Sequence, residues 1–147
     1  MRGVLALLGL VAIPIPAMGQ QPRWERQVQD RLQRAIAAVG TASRLLVVQR
    51  SGMLNTDEAA SFQTTLTQGT SYAIVGVCDD DCSRLQLTLV KPGGSEIAKE
   101  RNSESLPALH FTPPATLSYG IRVVMEGCHW NPCWYAVAVI PLGKKAT

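Results

Sequence analysis

Apolar residues recur with two different periods along the chain, and the period changes at Gly40. Between Pro22 and Gly40 they fall at steps of four, four, four and three residues, at Trp24, Val28, Leu32, Ile36 and Val39. This spacing predicts one amphipathic helix whose apolar stripe packs on a sheet. Pro22 suits the first turn and Gly40 suits the position after the helix end. Charged residues off the stripe predict a solvated face, with a membrane-surface helix as the alternative: Arg23, Arg26, Asp30, Arg31 and Arg34.

Beyond Gly40 the period falls to two, and short apolar runs are bounded by Gly, Pro, Asn, Asp and Ser. The runs are RLLVVQR, SYAIVGV, RLQLTLV, LHF, YGIRVVME and WYAVAVI. In RLQLTLV, for example, Leu85, Leu87 and Leu89 share one face, which is typical of a half-buried antiparallel strand. Six or more such strands with no helix between them predict an all-β fold, an antiparallel β-sandwich or jelly roll preceded by one N-terminal amphipathic helix.

Three segments in this order resemble the bacterial pre-peptidase C-terminal domain, a β-sandwich of secreted proteins that is often appended to peptidases. The similarity runs from Phe62 to Ile140. Its most specific parts are an L-x-x-G-x-x-Y pattern beginning at Leu66, the KPGG turn beginning at Lys91 and the FTPP segment beginning at Phe111. The resemblance implies a module standing alone behind a helix, because no peptidase domain accompanies it.

The chain departs from that family in its acidic and cysteine residues. Where the family alternates Asp with Leu near its third strand, this sequence has Arg84 and Gln86, and its acids lie upstream at Asp79 to Asp81. The four cysteines are not a general family feature. An acidic ligand site of the family therefore does not carry over to these positions.

The N-terminus has the pattern of a secretory signal peptide. Arg2 precedes an apolar run from Val4 to Ile15, and small residues follow at Ala17 and Gly19, which predicts cleavage near Gly19. A retained anchor is the alternative, but the run is shorter than the roughly 20 apolar residues that span a bilayer. We therefore assign residues 1–19 to a signal peptide, 20–43 to the helix and its connection, and 44–147 to the β-sandwich. We expect a secreted or periplasmic protein with no stable membrane insertion after cleavage.

Charge excludes one class of partner. The full chain carries +3, and removal of residues 1–19 leaves Lys+Arg 13 against Asp+Glu 11, a net charge of +2. The basic residues are scattered, whereas nucleic-acid binders usually show a basic stripe. We expect no nucleic-acid partner and, at this length, a single domain with its own core.

The four cysteines flank two short loops. If the strands alternate up and down, CDDDC and CHWNPC lie at the same end of the sandwich. In an exported chain, cysteines favour disulfides, and of the three pairings we favour Cys78 with Cys82 and Cys128 with Cys133, each closing a hairpin loop. A zinc site that includes His129 is the alternative. A catalytic dithiol usually has two intervening residues, and these pairs have three and four.

Asp79, Asp80 and Asp81 are candidate ligands for calcium, because carboxylate oxygens on a loop suit a hard cation. The alternate spacing, the Gly and the late Glu of an EF-hand are missing. Consecutive acids also cap turns and face water, so the aspartates are alternatively a polar rim. We expect no other cofactor.

Aromatic and polar residues of the second loop are candidate ligand-binding residues. Trp130, with His129, Asn131 and Tyr135 around it, could contact a protein or polysaccharide surface, since exposed aromatics stack on sugars and anchor protein partners. Trp134 begins a strand and is more simply explained by core packing.

Catalytic patterns are missing. His110 and His129 are the two imidazoles of the chain, and GTSYA at Gly69 leads into a strand, whereas a nucleophile elbow turns into a helix. No metalloprotease, phosphate-loop or dinucleotide motif occurs. The sequence predicts an exported non-catalytic binding or structural module, with a calcium-binding envelope protein as the alternative and an enzyme using His129 as a third class.

Overall fold

The computed structural model describes residues 23–39, 46–100 and 106–144. These residues form helix α1 (Arg23–Val39) and eight strands: β1 (Val48–Leu54), β2 (Ala59–Leu66), β3 (Thr70–Cys78), β4 (Cys82–Val90), β5 (Glu96–Lys99), β6 (Ala108–Phe111), β7 (Leu117–Cys128) and β8 (Cys133–Lys144). The predicted signal peptide at residues 1–19 lies outside the described residues, so the proposed domain boundaries stay a prediction.

The strands form two four-stranded antiparallel sheets with jelly-roll connectivity. Sheet A has the order β1-β8-β3-β6 and sheet B the order β2-β7-β4-β5. Consecutive strands mostly alternate between the sheets, as in two interlocked Greek keys. The predicted fold class, a β-sandwich or jelly roll behind one helix, is confirmed.

The main core lies between the two sheets and is built from the alternate positions that the period of two predicts. Leu85, Leu87 and Leu89 are almost fully buried on the inner face of β4. Tyr119, Ile121, Val123 and Met125 on β7 complete that face of sheet B, and both disulfides lie at the edge of the same core.

A second apolar layer joins α1 to the outer face of sheet A. Val28 and Leu32 are buried against small and branched residues of β3 and β8, namely Ala73, Val75, Val77, Ala136, Ala138 and Ile140. The small alanine side chains let the helix approach the sheet closely. The apolar stripe therefore packs on a sheet, as its spacing predicts.

Strand β2 was missed by the periodicity, and β1 is displaced from its predicted position. The run RLLVVQR predicts a strand over residues 44–50, whereas β1 begins at Val48 and ends at Leu54. Around Phe62, β2 has small and polar residues, and its one other large apolar residue is the buried Leu66 at its end. Its burial alternates regularly, but the inward positions before Leu66 are only half-buried because β2 lies at the edge of sheet B. An edge strand needs fewer apolar residues, so its pattern is faint.

The segments that carry the family resemblance build turns at one end of the sandwich. Gly93 and Gly94 adopt the left-handed φ that the KPGG turn requires. Gly69, also at positive φ, donates its N–H to the Pro113 carbonyl at 3.0 Å, and the Tyr72 hydroxyl accepts from the Thr67 N–H at 3.0 Å. These residues fix the ends of strands, and no functional role is needed to explain them.

Candidate functional site

Three loops meet at the other end of the sandwich, which we call the stapled pole: residues 55–58 between β1 and β2, 79–81 between β3 and β4, and 129–132 between β7 and β8. Cys82 lies directly opposite Cys128 in the register of sheet B, and Cys78 lies opposite Tyr135 in sheet A. Both cysteine loops therefore share one pole. The predicted parity of the strands is correct, although the connectivity is not a simple up-and-down meander.

The disulfides join the two sheets at this pole. Cys78 pairs with Cys82 and Cys128 pairs with Cys133, with Cα–Cα distances of 5.9 and 5.8 Å. This is the pairing that the loop spacing favours. The expectation that the two loops are hairpins is wrong, because β3 and β8 lie in sheet A while β4 and β7 lie in sheet B. Each bond therefore closes an arch between sheets and fixes their separation at the pole.

The buried side chain of Asp79 connects the two cysteine loops through hydrogen bonds. Its side chain is only 2% exposed, and its carboxylate accepts the backbone N–H of Trp134 at 2.7 Å and that of Cys82 at 3.2 Å. Burial raises the pKa of the Asp79 carboxyl above its usual value, while the Trp134 N–H acts in the opposite direction. Asp79 is thus buried and does not belong to a solvent-facing polar rim.

Helix α1 holds Asp80 from the side. Gln27 and Arg31 donate to its carboxylate, and the Asp80 N–H donates to Gln27 Oε1 at 3.0 Å. Arg31 also donates to the Cys78 carbonyl at 2.6 Å. The hydrogen bond from Gln27, followed by the charge of Arg31, lowers the pKa of Asp80. The expected solvated face is therefore wrong for Arg31, which faces the loop because the helix lies across sheet A at this end.

Hydrogen bonds fix the loop that carries the candidate contact residues. The His129 N–H donates to the Asp81 carbonyl at 2.7 Å. Asn131 Oδ1 accepts from the Thr56 N–H at 2.9 Å, and the peptide bond from Asn131 to Pro132 is cis. Thr56 also bonds the N–H and carbonyl of Cys128 through its hydroxyl. Sequence reasoning missed the loop at residues 55–58, whose Asn, Thr and Asp are turn-forming residues that could have suggested it.

The four candidate binding residues fall into different environments. Trp130 is 71% exposed, and the His129 ring, also exposed, meets it edge to face with ring centroids 5.4 Å apart. Asn131 is exposed but engaged with Thr56. Tyr135 is buried in the main core, and burial raises the pKa of its hydroxyl. Side chains alternate along β8, so Tyr135 points inward while Trp134 lies partly buried under α1. The expectation that Tyr135 contacts a ligand is therefore wrong.

The three aspartates do not converge on a common point. Asp79 faces the backbone of both cysteine loops and Asp80 faces α1. Within residues 23–39, 46–100 and 106–144, no group of three or more His, Cys, Asp or Glu side chains is placed to hold a metal ion. All four cysteines are in disulfides, which leaves no thiolate for zinc. The calcium site stays a prediction, to be tested with a chelator.

Candidate catalytic groups are dispersed. Ser71 lies inside β3, as expected, and its hydroxyl shares a hydrogen bond with Thr112 at 2.9 Å. His110 lies on the edge strand β6, and His129 lies in the loop of the stapled pole. No helix in the described part of the chain is long and apolar enough to cross a membrane.

The architecture is similar to that of two solved bacterial structures. One is PliG of Aeromonas hydrophila, a periplasmic lysozyme inhibitor of g-type lysozyme, with a TM-score of 0.52, 13% identity, and coverage of 69% of this chain and 91% of PliG. The other is the pre-peptidase C-terminal domain of a collagenase from Bacillus anthracis, with a TM-score of 0.51, 12% identity, and coverage of 64% and 89%. These TM-scores show a shared fold, which confirms the predicted resemblance to the pre-peptidase C-terminal domain at the level of the fold.

No protein-family model matches the sequence, and no curated protein matches it. The two disulfides are of the kind that persist in oxidising compartments.

Proposed function

We propose that this chain is an exported, non-catalytic module that binds a partner protein through the stapled pole, with Trp130 as the central contact. The observation that carries the proposal is the 71% exposure of Trp130 on a loop held by a disulfide and by hydrogen bonds to both neighbouring loops. Trp is among the residues most enriched at binding hot spots, because its large ring gives much contact area when a partner covers it.

The rigidity of the loop supports binding. The bond from Cys128 to Cys133 closes its base, His129 is tied to Asp81, and Asn131 is tied to Thr56. Binding therefore does not have to order this segment, and the usual entropic cost of immobilising a loop is avoided. A loop built only to connect β7 with β8 would not need to present an indole to solvent.

Charge around Trp130 favours a basic partner surface. Asp57 and Glu58 are exposed on the first loop of the pole, and on the second loop Asp80 is exposed and Asp81 is half-buried. Of these, Asp80 is compensated by Arg31. The remaining carboxylates would steer a basic protein toward the tryptophan, and the association rate would fall with added salt.

A protein partner is favoured over a polysaccharide. Among the described residues, Trp130 is the most exposed aromatic side chain, and the exposed His129 ring beside it stands edge to face, so the two rings do not form a flat stacking platform. PliG, which shares the fold, inhibits a g-type lysozyme. A g-type lysozyme is therefore the first partner that we would test. Export is supported by the signal-like N-terminus, the two disulfides and the periplasmic neighbour.

The experiment measures inhibition and direct binding of purified g-type lysozyme by the oxidised protein and by Trp130→Ala. Removal of a central Trp contact costs about 2 kcal/mol or more, so we expect the dissociation constant to rise about 30-fold. Leu117→Ala is the matched control, since Leu117 is also an exposed apolar residue but lies at the opposite end of the sandwich. It should bind like the wild type.

Two results would contradict the proposal. Binding that survives Trp130→Ala but is lost in Leu117→Ala would move the site to the other pole. Binding to insoluble peptidoglycan in a pelleting assay, with no affinity for the lysozyme, would make the partner a polysaccharide.

A further inference from the structure

The outer edge of β2 is open and lacks the features that usually protect an edge strand. β2 forms one border of sheet B, and no other described strand pairs with its outer side. Its eight residues, AASFQTTL, include no charged residue and no proline. Such an edge presents unpaired N–H and C=O groups that can accept another strand.

The other three edges are protected. β1 carries Arg50, an exposed cation whose guanidinium lies over the Phe62 ring of β2 at 5.8 Å from its centroid. β5 and β6 have only four residues each, and β5 also carries Glu96 and Lys99. Charged side chains and short edge strands are known means of preventing edge pairing. Among these four described edges, β2 is the one that is longer than four residues and has no charged residue of its own.

We propose that β2 pairs with β2 of a second copy of this chain, antiparallel about a two-fold axis at Gln63, which joins two B sheets into one sheet of eight strands. In an antiparallel pair, the numbers of two facing residues always add up to the same sum. When that sum is even, residues of the inner face lie opposite residues of the inner face. It also places the outward-pointing backbone groups of one strand opposite those of the other. Centring on Gln63 satisfies both conditions.

The strand is self-complementary in this register. On the inner face, Phe62 lies opposite Thr64 of the second copy, an aromatic residue against a β-branched one, which is a favourable cross-strand pair. On the outer face, Ser61 lies opposite Thr65, and Gln63 lies opposite its own copy, so polar side chains can exchange hydrogen bonds. No like charges face each other anywhere along the eight residues.

The interface is small, which makes the dimer weak. Pairing of two eight-residue edges buries less than the roughly 1,200 Å² at which specific, stable interfaces begin. We therefore expect a reversible dimer that forms as the concentration rises. Phe62, which is only half-buried in the single chain, becomes covered when the edge is paired.

The experiment combines sedimentation velocity over a concentration series with cysteine cross-linking under mild oxidation. In Gln63→Cys the two introduced thiols are directly opposite, with Cα atoms about 4.5–5.5 Å apart, which is within disulfide range. In Ser61→Cys the corresponding thiols lie roughly 13 Å apart, because four residues of strand separate them. Both positions are exposed, so the two variants should fold equally well and should be equally prone to exchange with the native disulfides. Ser61→Cys is therefore the matched control for Gln63→Cys.

We expect Gln63→Cys to form a covalent dimer under mild oxidation, and Ser61→Cys to form no cross-link although it still associates reversibly as the concentration rises. A wild-type protein that sediments as a monomer at every concentration tested would overturn the proposal. Cross-linking of Ser61→Cys equal to that of Gln63→Cys would overturn the register.

Discussion

Leu32→Ala tests whether α1 is an integral layer of the fold. Leu32 is 0% exposed and packs in the second core against Val28 and the outer face of sheet A. Its replacement removes about three buried carbon groups at about 0.8 kcal/mol each. The cavity adds to this, so we expect a loss of about 3 kcal/mol in the free energy of unfolding.

The assay is urea denaturation, with the melting temperature as a second measurement. A loss of about 3 kcal/mol corresponds to a melting temperature roughly 10 °C lower for a domain of this size. Gln33→Ala is the matched control, because Gln33 is the next residue of the same helix, is exposed, and is replaced by a residue of equal or better helix propensity. The control should change the stability by less than about 0.5 kcal/mol.

A second readout follows from the contact between the helix and the pole. Gln27 and Arg31 hold the loop at Asp80, so loosening of α1 should raise hydrogen exchange at the Asp80 amide, whose N–H donates to Gln27. If Leu32→Ala leaves both the stability and the exchange at Asp80 unchanged, the helix does not pack as described. If the stability falls with no change at Asp80, the helix packs but does not support the loop.

Two further predictions concern the interior of the pole. Because burial raises the pKa of Asp79, the folded state binds the proton of this carboxyl more tightly than the unfolded chain does. The free energy of unfolding of the wild type, relative to that of Asp79→Asn, should therefore fall as the pH rises from the ordinary pKa of 3.8 through the raised pKa of the folded state. A difference between the two proteins that does not vary with pH would contradict this. Reductant should lower the free energy of unfolding by about 2 kcal/mol for each short disulfide loop, and the melting temperature with it. The melting temperature should be the same in calcium and in chelator, and a chelator-sensitive value would support the calcium site.

Local residue chemistry accounts for the accurate sequence-based predictions. KPGG forms its turn because Gly93 and Gly94 accept positive φ, and the leucines of β4 face inward because side chains alternate along a strand. The disulfide partners are close in sequence, so chain connectivity alone brings them together. The resemblance to the pre-peptidase C-terminal domain rests on the same short-range turn residues.

The errors have a common cause, since they concern contacts between residues distant in sequence. Arg31 is 49 residues from Asp80, and Thr56 is 75 residues from Asn131. Tyr135 was expected at the surface because it follows an exposed loop, but the phase of β8 turns it into the core. No local pattern indicates which loop will lie beside which.

The sequence by itself determined that this chain would be a helix followed by an antiparallel β-sandwich with two short cysteine loops, because hydrophobic period, turn residues and cysteine spacing are local properties. Only the tertiary structure decided that each disulfide would join two different sheets, that Asp79 would be buried between both loops while Trp130 stays in solvent, and that β2 would have an open edge. Those outcomes depend on which strands become neighbours, and the jelly-roll pairing sets that through contacts between residues far apart in the chain.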